Sequence, residues 1–515
     1  MKTVVIDGKS LTIEDVVNVA RDGTQVALAS EAREAVLRAH QWVMGIGQKG
    51  KPVYGINTGF GIFSDQKIPL EESAKLSRNL IISHAVGTGD PLDEEIVRAA
   101  ILVRVNTLAK GYSGVRIEVI ETLMALLNKN LTPIGPSQGS LGSSGDLGPL
   151  SHLALVFTKD LDDLDSESGY ALCQGKLLTG KEAMAKAGIE RLILGPKEGL
   201  ALNNGATFSA AIAALAVFDA ETLLKTAEVS LAMSLEAMMG CAAAYDDRIH
   251  AARGHEGQRR VAEAVREYTQ GSQLLDACGR VQDAYSLRCA PQVQGVGWDT
   301  LHFVRGAIET EINAATDNPL LFGPEQAVSG GNFHGEPLGI TMDFLGIAMA
   351  EIASISERRT FRMLDSRLSG GLPAMLVDKP NDAGLNSGLM MPQYSAASLV
   401  LENMTLATPD SIHSLPTSAE QEDHNANSMT AARHTRSILV NTAHVLAIEL
   451  YTAARAIDLR LRQEPNLILG KGTRTAYEII RKFVPYQSGD ALWGPEIEQI
   501  HELVVNKCFD MLESC

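Results

Sequence analysis

The sequence predicts a mainly α protein, with a core of long bundled helices and a smaller mixed N-terminal domain. Three observations carry this. A segment of nearly fifty residues from Gly199 to Asp247 is composed almost wholly of helix formers and holds no proline. Two similar segments follow at about 338–366 and 428–463, and uninterrupted apolar-patterned stretches of this length suit a helix bundle rather than a sheet with crossovers. Aromatic residues make up only 5% of the chain, while Ala, Leu, Met and Glu are frequent in these segments, a palette of strong helix formers. The change of texture near residue 198 divides the chain into an N-terminal domain, 1–198, and a long-helix domain with C-terminal helices, 199–515.

Along the chain, "TVVIDGKSL" alternates as a short strand. "TIEDVVNVA" follows as a helix with Thr12 as its N-cap and Asp15 at the capping-box position. Residues 30–47 read as a second helix. Residues 51–70 are irregular, and the chain is then helical through about 128. Residues 132–149 are rich in Gly, Ser and Pro.

Composition restricts the partners. With 515 residues, 45% of them hydrophobic and 21% charged, the chain can bury a large core. A net charge of −17 opposes nucleic-acid binding, and no dense Lys/Arg run suits an anionic membrane. Cysteines at 173, 241, 278, 289, 508 and 515 form no C-x-x-C pair, so free thiols in a reducing compartment are expected. "MKTVVIDGKSLTIEDVV" has no apolar signal core. The longest apolar run, "AAIAALAVF", is too short to span a bilayer. The expected location is the cytoplasm.

Several standard motifs fail. "GPSQG" (135–139) matches a nucleophile elbow literally, but Pro136 and the glycines beyond it do not fit the strand–turn–helix that the motif needs. No Walker A or H-E-x-x-H is present, and no metal site is expected. Polar breaks, three of them bearing glycine, are instead unusually numerous: "VYGINTGFG" (53–61), "GSLGSSGDLGPLSH" (139–152), "RVQDAYSLRCAPQ" (280–292), "TDNP" (316–319), "SGGNFHGEP" (329–337) and "PTSAEQEDHNANS" (416–428). Each alone reads as turn chemistry or a helix cap. Together they exceed what a plain helical bundle needs.

These stretches, with "SRNLIISHAVGTG", "GLALNNG" and "ATDNPLLF", closely resemble the aromatic amino acid ammonia-lyases, in family order over roughly residues 5–500. The resemblance implies a prosthetic 4-methylidene-imidazol-5-one (MIO) formed from Ser143-Ser144-Gly145, with no dissociable cofactor. In that cyclisation the Gly145 nitrogen attacks the Ser143 carbonyl and two waters leave, one carrying the Ser144 hydroxyl. Glycine suits the attack because no Cβ hinders it. Alanine usually stands first in the family's triplet; Ser143 departs from this at a position that contributes mainly its carbonyl carbon.

The resemblance also implies roles. Tyr54 removes the substrate β-proton, which requires a setting that makes a phenol of pKa near 10 basic enough. Arg288 grips the substrate carboxylate with its planar fork. Tyr285, Asn204 and Gln282 line the ring and polarise its carbonyl, and Phe333 is a pocket wall. The active site is implied to be shared among subunits of a homotetramer acting on a small-molecule amino acid. Ser83-His84 and Glu422 resemble the family's histidine branch, because a carboxylate accepts an imidazole N–H and finds no such donor on a phenyl ring. They point to L-histidine yielding trans-urocanate and ammonia. Two departures bear on the pocket: "NAN" lengthens the segment after "QEDH", and Asn203 is polar where that branch has an apolar residue. The alternative is an MIO lyase or 2,3-aminomutase for another aromatic amino acid.

Overall fold

The computed structural model describes residues 3–49 and 52–510; Cys515 and Gly50-Lys51 lie outside them. Helices dominate: α1 (Ile13–Arg21), α2 (Ser30–Lys49), α3 (Ser73–His84), α4 (Glu94–Ala109), α5 (Ile117–Asn128), α6 (Leu147–Phe157), α7 (Gly180–Ala187), α8 (Glu198–Asn203) and α9 (Thr207–Ala237). They continue as α10 (Asp247–Arg253), α11 (Glu256–Tyr268), α12 (Tyr285–Arg288), α13 (Ala290–Glu311), α14 (Glu336–Leu364), α15 (Met390–Leu406), α16 (Ser428–Gln463), α17 (Lys471–Phe483) and α18 (Trp493–Val505). The described strands form only small sheets of two or three members, so the mainly α expectation holds.

Two compact units are present. The first comprises Met1–Phe218, Arg305–Asp343 and Pro409–Arg433; the second comprises Asp219–Val304, Phe344–Thr408 and His434–Cys515. Both are discontinuous in sequence, where the sequence reading has a single cut at 198/199. The three long helices α9, α14 and α16 each begin in the first unit and continue into the second.

In the first unit, Val4–Ile6 pairs in parallel with Val26–Leu28. The capping box of α1 is complete: Thr12 accepts from the Asp15 amide, and Asp15 accepts from the Thr12 amide. From Ile96 onward every residue of α4 is buried, including Arg98 and Arg104. The expected continuous helix before residue 128 is in fact three helices. Strand Thr88–Pro91 interrupts them and pairs with Pro136–Gln138, which carries the end of α3 next to the start of the 139–146 loop. The fifty-residue helical segment is also broken, between α8 and α9, where Gly205 adopts φ +121°. That conformation is natural only for glycine.

In the second unit, α9, α14 and α16 meet at a buried carboxylate. Glu449 accepts from Ser230 and Ser234 of α9, and from Ser356 and Arg359 of α14. The Arg359–Glu449 pair is fully buried; losing one member of such a pair typically costs about 3–5 kcal/mol, because the other is left charged without a partner. Ala353, Ala396, Val400, Val445 and Ile448 form a nearby core. By length and composition α9, α14 and α16 could each cross a bilayer, which the short-run reading of the sequence missed. Most of each apolar window is buried within the protein, 83% for α9. Cys173, Cys241, Cys278, Cys289 and Cys508 are free thiols, as expected.

Candidate active site

The 139–146 loop is shaped by what its glycines exclude. Gly142 has φ +64°, and a Cβ there would fall 1.9 Å from Ser428 Oγ. Gly145 has φ +82°, and its Cβ would fall 2.1 Å from the Gly205 carbonyl carbon. Neither position admits a side chain without moving backbone. A parallel bridge joins Gly145 to Gly205. It uses the groups that flank Gly145: the Ser144 carbonyl accepts from Gly205 N at 3.3 Å, and Asp146 N donates to the Gly205 carbonyl at 2.9 Å. The Gly145 amide takes no part in that bridge. Asn204 donates Nδ2–H to the Ser144 carbonyl at 2.6 Å.

Asp146 anchors the loop from below. It is fully buried and accepts from the Ser140 hydroxyl at 2.7 Å, the Ser209 amide at 2.8 Å and the Ser209 hydroxyl at 3.0 Å. Burial pushes its carboxyl above the usual range, against the pull of these bonds and of Arg104. The Ser209 amide lies in the first turn of α9, so Asp146 also satisfies one of that helix's exposed donors.

Arg104 was not singled out in the sequence. Fully buried on α4, it donates to the carbonyls of Asn204 (2.8 Å) and Ala201 (3.3 Å) and to the Thr207 hydroxyl. It thereby holds the α8–α9 break that faces Ser144. Burial lowers its guanidinium to about 10, which leaves it charged near neutrality. The available signal was a lone arginine inside the apolar run "AAILVRVNTLA", because a charge there must find partners.

A cavity of about 1220 Å³ opens over this loop, lined entirely by the first unit. It brings together Tyr54, His84, Ser143, Ser144, Asn204, Phe333 and Glu422. Within the triplet, Ser143 and Gly145 are buried while Ser144 is half-exposed toward the cavity. Tyr54 packs edge-on against Phe60, centroids 6.3 Å apart. Burial raises its phenol above the ordinary value, Glu422 adds to the rise, and the Gly61 amide opposes it. His84 ends α3, its Nδ1 lying 3.0 Å from Ser83 Oγ. Burial lowers its pKa while Glu422 pulls it upward. Glu422 Oε2 accepts from the Thr417 hydroxyl at 3.2 Å.

Among the described residues the cavity lining includes Glu422 and Asp423 but neither lysine nor arginine. Gln282, Tyr285 and Arg288 belong to the second unit and are not among the lining residues. Gln282 is exposed and Tyr285 is 70% exposed. Arg288 lies over the Tyr285 ring at 4.7 Å, and its buried Nε has no hydrogen-bond partner among the described residues.

The two departures noted in the sequence do not line the cavity. Asn203 is fully buried and donates to Ser151 Oγ at 3.2 Å, so it faces the α6–α8 contact. Asn425 and Asn427 fold onto the preceding loop, donating to the carbonyls of Leu415, His413 and Asp410. Ala426 donates its amide to Ser143 Oγ at 3.3 Å.

A mainly helical protein whose glycine-shaped loop underlies a cavity holding a tyrosine, a histidine and a carboxylate is an enzyme equipped for proton transfer. The chain belongs to the aromatic amino acid lyase family, whose model matches residues 11–482. It is 47% identical over 517 residues to a histidine ammonia-lyase of Alkaliphilus metalliredigens, covering 100% of this chain and 99% of that one. Among solved structures it resembles histidine ammonia-lyase of Trypanosoma cruzi with TM-score 0.90 and 36% identity, covering 100% and 95% of the two chains. It also resembles tyrosine aminomutase of Streptomyces globisporus with TM-score 0.92 and 34% identity, covering 100% and 98%.

Proposed function

We propose that this enzyme is a histidine ammonia-lyase, eliminating ammonia from L-histidine to give trans-urocanate in the cytoplasm. The observation that carries the reading is one cavity uniting Ser144 with His84 and Glu422. The similarity to histidine ammonia-lyases over the full chain supports it.

The triplet fits an MIO group. Gly145 stands where a Cβ is impossible, its amide is outside the bridge to Gly205, and Ser144 alone of the triplet is half-exposed to the cavity. Its ring would supply an electrophile for the substrate amine, which ordinary side chains do not provide. Asn204 is bonded to the Ser144 carbonyl and polarises it, in the manner of an oxyanion site. Tyr54 takes the β-proton, and Glu422 accepts the imidazole N–H, with Phe333 as a wall. His84, kept neutral near pH 7 by burial, offers a hydrogen bond without a competing charge.

Among the described residues the cavity lining carries carboxylates and neither lysine nor arginine, so it offers no permanent cation to hold the substrate carboxylate or ease ionisation of Tyr54. Arg288, with an unpartnered Nε, together with Tyr285 and Gln282, completes it from another subunit of a homotetramer. Incubation with L-histidine tests the reading: urocanate absorbance should rise. Turnover of tyrosine or phenylalanine without urocanate would replace it with a lyase for another aromatic amino acid, and a β-amino acid product with the aminomutase reading that the tyrosine aminomutase likeness favours.

A further inference from the structure

Three ligand-type side chains converge on the second unit and share no residue with the lyase cavity. His444 lies on α16, and Glu498 and His501 stand three residues apart on α18. One donor atom from each lies within 4.8 Å of the other two. The two imidazoles stack with centroids 3.8 Å apart and planes 17° apart.

The hydrogen bonding prepares these groups for a cation. His444 Nδ1 lies 2.9 Å from the Val440 carbonyl, an acceptor only, so that nitrogen carries the proton. Its Nε2 lone pair is thereby turned toward Glu498 Oε2, 3.6 Å away. A backbone carbonyl on the far ring nitrogen is the usual device that orients a ligating histidine. His501 Nδ1 lies 3.2 Å from Glu498 Oε1. Both imidazoles are half-buried and Glu498 is exposed, so an ion has a route in and water can complete its shell.

We propose that His444, Glu498 and His501 form a zinc-binding site that clips α18 to α16. Two imidazoles and a carboxylate are a donor set suited to Zn²⁺, with a solvent molecule in the fourth position. Ligand bonds of about 2.0–2.1 Å place tetrahedral donors roughly 3.3 Å apart, a contraction within reach of small side-chain rotations. On binding, His501 ligates through Nδ1 and its proton sits on Nε2, so the neutral ring loses no proton overall. The spacing is invisible to a linear motif search because His444 lies on a different helix from the Glu498-x-x-His501 pair.

The test uses the chelator-stripped full-length protein. Equilibrium dialysis should give one Zn²⁺ per chain at the tight site, and Zn²⁺ should raise the unfolding midpoint. H444A and H501A should each weaken binding at least tenfold and lose that rise, while lyase activity and the metal-free midpoint stay near the parent's. E498Q, at an exposed position, repeats the test should either histidine variant fold poorly. Co²⁺ as a spectroscopic probe should give a pattern without thiolate charge-transfer bands. No saturable binding, equal binding in the variants, or thiolate bands would each overturn the site.

Discussion

The Ala426 amide donates to the Ser143 hydroxyl at 3.3 Å, and the same hydroxyl donates to the Leu141 carbonyl at 3.2 Å. The unusual serine of the triplet and the lengthened segment after Glu422 therefore touch each other at the edge of the cavity, which Ser143 lines and residues 425–427 do not. Ser143→Ala removes one polar tie and leaves the carbonyl needed for cyclisation. It should cost about 1 kcal/mol of stability, measured by denaturant unfolding, and leave the intact mass two waters below that of the unmodified chain. Ser144→Ala should abolish both that mass loss and the activity.

Gly145→Ala is expected to act differently, because its Cβ meets backbone rather than a mobile side chain. The bridge to Gly205 must open, and the residue-145 nitrogen is no longer presented to the Ser143 carbonyl. Intact-protein mass spectrometry should show an unmodified chain. A variant that still loses two waters would show that ring closure does not require glycine at 145.

Arg104→Met leaves the carbonyls of Asn204 and Ala201 buried without their donor. Each unsatisfied buried group costs about 1–3 kcal/mol, so a loss of roughly 3 kcal/mol is expected in denaturant unfolding. Because Asn204 holds the Ser144 carbonyl, the fraction of chains lacking two waters should fall as well. Unchanged stability with full mass loss would contradict the clamp.

Local chemistry was legible in the sequence where partners are close along the chain. The Thr12/Asp15 capping box spans three residues, and the glycines of the 139–152 stretch state their own conformational demand. The break at Asn204–Gly205 was not legible, because apolar periodicity continues on both sides of it. Arg104 was missed for a related reason: its apolar run signals burial, but its partners lie about a hundred residues away and the run does not say what the arginine holds. Asn203 misled because polarity was read as pocket-facing, whereas burial against Ser151 satisfies it equally well.

The pH profile follows from Tyr54. Acting as a base, it must lose its proton, and burial with Glu422 nearby raises its phenol above the ordinary value. A higher pKa means less phenolate at a given pH, so kcat/KM should climb as pH rises through neutrality. His84 is already neutral there because its pKa is lowered, and it adds no limb. Glu422→Gln removes one of the influences raising Tyr54, so the climb should begin at lower pH while KM for histidine increases. A profile unmoved by Glu422→Gln would separate Glu422 from Tyr54.

A site completed between subunits makes a prediction that no single-chain defect can mimic. Arg288→Ala should raise KM for histidine about 10- to 100-fold, the worth of losing a charged hydrogen bond or two to the carboxylate. Arg288→Lys should recover only part of it, since an ammonium lacks the planar fork. Co-expressing Arg288→Ala with Ser144→Ala chains then decides where the arginine comes from. If it reaches a neighbour's cavity, random mixing leaves about a quarter of sites with both an intact triplet and an intact arginine. Activity should exceed that of either parent alone. If each chain serves its own cavity, every site in the mixture is defective and no activity is regained.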